Sequence, residues 1–160
     1  MSKKKDLQRL IRAYKDDTGI HEVEMSKVAQ YAKDRGWPMP VPPDPIELFA
    51  KALADAAREE ISHDKVTGKP YRVNHALPVY LKDGKQLHFW IDIDEAERGP
   101  MLKSLVNRRE QMVGDGLMLT LDQDHWNQIH EGEEPIQLPM DLTFDIELRK
   151  NMPDDDADAA

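Results

Sequence analysis

Four prolines in six residues, Pro38-Met39-Pro40-Val41-Pro42-Pro43, place the firmest constraint on this chain. Each proline lacks an amide proton and holds φ at about −65°, so the segment cannot be regular helix and runs stiffly extended. Helices must therefore stop before it and start again after it. Upstream, Leu7, Leu10, Ile11 and Tyr14 recur at i, i+3, i+4 and i+7, the stripe of a short amphipathic helix that Gly19 stops. Ile20-His21-Glu22-Val23-Glu24 alternates and reads as a short strand. Ser26 reads as the N-cap of a second helix with Val28, Ala29, Tyr31 and Ala32 inward, closed by Gly36.

Downstream, Asp44-Pro45-Ile46-Glu47 marks a helix start: an acid to cap, proline at the first helical position, and a capping-box glutamate. This third helix is expected to reach Glu60 and to bury Ile46, Phe49, Ala50, Leu53, Ala56 and Ala57. Ile61–Asp64 and Tyr71–Asn74 then flank the turn Val66-Thr67-Gly68-Lys69, a hairpin. A second hairpin pairs Val79–Leu81 with Leu87–Ile91 across Asp83-Gly84. Asp94 and Glu97 suggest a capping box for a helix over 96–113 with Leu102, Leu105, Val106, Met112 and Val113 inward. Gly114-Asp115-Gly116 reads as a break, Leu117–Leu121 as a buried strand, and Asp122 as the cap of a brief helix through Ile129. Residues 135–138 read as extended, and Leu142–Leu148 as a last short helix.

Charge is uneven. Residues 1–90 carry 16 Lys+Arg and 13 Asp+Glu, a net of +3, while residues 91–160 carry 6 and 18, a net of −12. The two halves are thus expected to meet different partners. Cysteine is absent, which removes disulfides and thiolate chemistry. No apolar run approaches the roughly 20 residues that span a bilayer, and no apolar segment follows the basic N-terminus. The expectation is a cytoplasmic protein with no membrane partner.

The order over residues 6–76, helix, short strand, helix, helix, strand, glycine turn, strand, resembles the winged helix-turn-helix superfamily, with Asp44-Pro45-Ile46-Glu47 and Thr67-Gly68-Lys69 as local markers. The linker from Gly36 to Asp44 is longer and richer in proline than that family's turn. The resemblance implies contact with DNA through the third helix or the hairpin wing. The expected fold is α+β: a winged-helix-like module over 1–77, packed on a small antiparallel sheet with helices over 78–150, and a disordered acidic tail over 151–160.

Lys65, Lys69 and Arg72 cluster on the hairpin with Asn74 beside them, so the wing is the favoured phosphate-binding element. Lys51 and Arg58 on the third helix are candidates to extend it, although Glu47 and Asp55 alternate with them as i,i+4 and i,i+3 pairs. His88, Trp90, Asp92 and Asp94 share one strand face, with Trp90 and His88 as a candidate protein-binding surface. Arg109 interrupts the apolar stripe, either snorkelling at its edge or pairing with Asp115 or Asp141.

The function expected is a non-enzymatic DNA-associated or regulatory adaptor, binding nucleic acid weakly through the wing and a protein, or itself, through the acidic half. The alternatives are a protein–protein module without nucleic-acid binding, and a metal-dependent hydrolase using Asp92 and Asp94. No residue is assigned a catalytic role, and no metal or cofactor is expected.

Overall fold

A computed structural model describes residues 3–153. Two compact units divide the chain, residues 1–48 and 49–160, with the division inside the third helix. The fold is α+β.

The first unit is a helical hairpin of α1 (Lys3–Thr18) and α2 (Met25–Asp34). Its core is the end of the stripe seen in the sequence: Tyr14, Val28 and Ala32 are buried. Tyr14 meets Tyr31 edge to face at 5.3 Å between ring centroids, a favoured geometry because ring edges are positive and faces negative. Arg35 lies 3.8 Å above the Tyr31 ring and bonds Asp17 at 2.9 Å, and the Tyr31 hydroxyl donates to the same carboxylate. Gly19 and Gly36 end the two helices at φ of 66° and 76°, where a side chain would be strained. Residues 20–24 form no strand, since no neighbouring strand completes their backbone bonding. Glu24, not Ser26, occupies the N-cap of α2, and the Ser26 hydroxyl bonds the Glu24 carboxylate.

The third helix, α3 (Pro45–Glu59), starts as the sequence indicates, with the Ile46 amide donating to Asp44 at 2.7 Å. Its expected core face is not buried. Ile46 and Phe49 are 75% and 63% exposed, and no residue of α3 is buried.

In the second unit, β1 (Ile61–His63) pairs antiparallel with β2 (Pro70–Arg72), and β3 (Asn74–Tyr80) with β4 (Gln86–Asp92). Gly68 and Gly84 supply the positive φ that the two turns require. Val73 joins the hairpins: its amide donates to the Glu60 carbonyl, and its carbonyl accepts from the Ile93 amide.

Beyond the second hairpin two expectations fail. Asp94 and Glu97 form no capping box; Glu97 itself is the N-cap, without a side-chain bond, and Asp94 instead accepts the Tyr71 hydroxyl at 2.8 Å. And a single helix, α4 (Arg98–Ile129), replaces the expected helix, break, strand and helix. Leu117-Met118-Leu119-Thr120-Leu121 is apolar enough for a strand, but Leu and Met are strong helix formers and Thr120 is its one β-branched member. Helical turns on both sides carry the two glycines. Residues 136–138 lie extended along the end of α4, held by Asn127, whose side chain bonds both backbone groups of Ile136 at 2.8 Å, and by Gln123 at the Leu138 amide. The last helix, α5 (Thr143–Asn151), matches its expected position and extends into the residues read as tail. Residues 154–160 of that expected acidic tail lie outside the described residues.

Candidate nucleic-acid interface

The alternation of β3 and β4 puts Asn74, Ala76 and Pro78 opposite Asp92, Trp90 and His88, on one face of the second hairpin. The other face carries Leu77, Val79, Leu87 and Phe89. From α4, Ser104, Asn107, Arg108 and Gln111 stand at i, i+3, i+4 and i+7 and form a polar row. Ser104 is buried, and its hydroxyl donates to the Ala76 carbonyl at 2.7 Å, pinning α4 to β3 by that row. The helix thus turns its polar side to the sheet. Leu102, Leu105, Val106, Met112 and Val113, expected in the core, are all more than 45% exposed.

Between these polar faces lies a cleft of about 330 Å³. Arg58 reaches it from α3, Arg72 from β2, His88 and Trp90 from β4, and Asn107, Arg108 and Gln111 from α4; His75 of β3 borders it, although alternation turns its side chain to the opposite face. Trp90 is half-buried rather than standing free, with the Arg58 guanidinium 5.2 Å from its ring centroid. His75 is buried and its Nε2 meets the Arg72 carbonyl at 3.0 Å.

The charge in the lining of the cleft is one-sided. Among the described residues no carboxylate lines it. Two acids stand behind its rim: Asp55 pairs with Arg58 at 2.5 Å, and Glu60 accepts from the Asn74 side-chain Nδ2 at 2.6 Å. Arg72 and Arg108 make no ion pair among the described residues. Guanidinium groups stay ionised and present planar forks of donors, the geometry that suits phosphate oxygens.

The candidate residues separate accordingly. Arg58, Arg72 and Asn74, expected to bind nucleic acid, and His88 and Trp90, expected to bind protein, line one cleft. Lys51, Lys65 and Lys69 do not line it. Lys69 borders a separate hollow together with Asp64 and Asp94, so acids interrupt the tip of the wing. Asp64 is committed to that turn: Thr67 donates through its amide and hydroxyl, and Val66 through its amide. The Thr67 donors, with Val66, hold the Asp64 carboxyl below the usual aspartate range. Sequence reasoning misses Arg108, Asn107, Gln111 and Ser104, because the apolar stripe of α4 draws attention to its other face. The signal is present as four polar residues at helical spacing.

Asp92 and Asp94 do not meet as a metal pair. The Asp92 carboxylate caps the Asp94 amide at 2.8 Å, and Asp94 holds Tyr71. Among the described residues no three His, Asp or Glu side chains are grouped to hold an ion. Arg109 lies exposed and pairs with Glu110 at 3.2 Å rather than with Asp115 or Asp141. No described helix is long and apolar enough to cross a membrane. No family model matches this chain, and neither a curated protein nor a solved structure is similar to it.

Proposed function

We propose that this chain is a non-enzymatic, DNA-associated adaptor whose contact with phosphates is made in the β3–β4 cleft. The observation that carries this reading is the convergence of Arg58, Arg72 and Arg108 around Trp90, with no carboxylate in the lining. It keeps the function that the winged helix-turn-helix resemblance implies, but moves the contact from the tip of the wing to its base. Backbone contacts of this kind are salt-sensitive and carry little sequence information. Trp90 adds a surface on which an unpaired base can stack.

The test is fluorescence anisotropy with labelled single- and double-stranded DNA at low salt. Arg72→Glu with Arg108→Glu should abolish binding, and Lys65→Glu with Lys69→Glu should leave most of it. Absence of binding by the parent protein, or equal losses in the two double variants, would refute the reading.

A further inference from the structure

We propose that the ligand of the cleft is one nucleotide bearing a terminal phosphate, either the phosphorylated end of a single strand or a free nucleoside monophosphate. This rests on the reading that the cleft takes phosphates, and it names which kind.

Size limits the ligand first. A cleft of about 330 Å³ lies at the low end of small-molecule sites, which run from roughly 300 to 1,000 Å³. Grooves that track a strand cover several nucleotides, roughly 4–16 in an OB-fold. The space here suits one unit of a nucleic acid and not a stretch of it.

Charge then selects the phosphate. Arg58 is engaged already, paired with Asp55 and lying over the Trp90 ring. Arg72 and Arg108 are exposed, and their guanidinium groups make no ion pair or hydrogen bond among the described residues. Two uncompensated cations in one small cleft repel each other. A diester inside a strand brings a single negative charge to them. A terminal monoester brings about −1.5 to −2, with three acceptor oxygens for the two guanidinium forks.

The rest of the lining suits the other half of a nucleotide. Trp90 presents an indole, on which a base of any type can stack. Asn107 and Gln111, one turn apart on α4, carry both donors and acceptors, and their side chains make no hydrogen bond among the described residues. Amides of this kind pair with base edges. A bare phosphate or a sugar phosphate would leave both the indole and the amides unused.

Fluorescence anisotropy of the full chain tests this with one internally labelled single strand in three forms: 5′-phosphorylated, 3′-phosphorylated and hydroxyl at both ends. Calorimetry with each nucleoside monophosphate, and with ribose 5-phosphate, separates the two sources. A phosphorylated form that binds roughly tenfold or more tightly than the hydroxyl form identifies a strand end. A nucleoside monophosphate that binds while the three strands are equal identifies a free nucleotide. In either case Arg108→Gln should remove the binding preference with unchanged far-ultraviolet circular dichroism. Trp90→Ala should weaken the preferred ligand by about tenfold, and Trp90→Tyr should restore it. Equal affinity for the three strands with no heat from any nucleotide, or ribose 5-phosphate binding as tightly as the nucleotides, would overturn the proposal and leave DNA contact standing. Nucleotide binding without DNA binding would keep the proposal and refute the adaptor, and binding of neither would end both.

Discussion

The Ser104 hydroxyl and the Ala76 carbonyl, 28 residues apart in the chain, meet at 2.7 Å and fix which side of α4 the sheet sees. A buried hydroxyl that loses its acceptor, or an acceptor that loses its donor, is left without the water it gave up on folding. Ser104→Ala should therefore cost roughly 1–3 kcal/mol, measured by urea unfolding. It should also weaken DNA binding, because Arg108 is one helical turn along from the anchor. Loss of stability with undiminished affinity would separate the anchor from the cleft.

Each phosphate neutralised releases condensed counterions, so the slope of log affinity against log salt counts the contacts. Replacing Arg108 with Gln should lower that slope by about 0.9 on duplex DNA, with a uniform loss across sequences. The same change at Lys65, outside the cleft, should leave the slope unaltered. Titrating both variants and the parent between low and moderate salt decides the matter. Equal slopes for all three would mean that Arg108 meets no phosphate.

Asp64 ties the wing turn together only as a carboxylate. Bonding from Thr67 and Val66 lowers its pKa, so the folded state binds that proton less readily than the unfolded chain. The stabilisation is complete above the unfolded aspartate value and disappears as pH falls through the lower, folded one. Amide resonances of Val66 and Thr67 should therefore move with a midpoint below 3.8, the ordinary aspartate value. A midpoint at or above it would show that the turn is not held this way. Asp64→Asn should remove the transition.

What the sequence made legible was local chemistry that admits one outcome. Gly68 and Gly84 sit at φ of 70° and 80°, so both hairpins could be read from their turns, and Asp44-Pro45 marked the start of α3 by the same logic. Orientation was less legible. Leu102, Leu105 and Met112 form an apolar row whether it faces a sheet or solvent, and periodicity records the row without saying which. Arg58, Arg72 and Asn74 were found as charges and donors near the wing. That they join Trp90 and Arg108 depends on register and on the rotation of α4, which arise from contacts far apart in sequence.

Gly114 and Gly116 show where the same residue type misleads. In a turn or break they would adopt positive φ, as Gly19, Gly36, Gly68 and Gly84 do, and alanine would be strained there. Neither does; both lie inside α4. A Cβ at Gly114 meets nothing within 4 Å, so Gly114→Ala should stabilise the protein by the helix-interior difference, about 0.8–1 kcal/mol. At Gly116 the new Cβ comes 2.9 Å from the Cε of Met140, the movable end of a flexible side chain. Gly116→Ala should therefore gain less, because Met140 must shift. Thermal melts of the two variants test both the continuity of α4 and the lie of residues 138–142 against it. A destabilising Gly114→Ala would restore the break that the glycines first suggested.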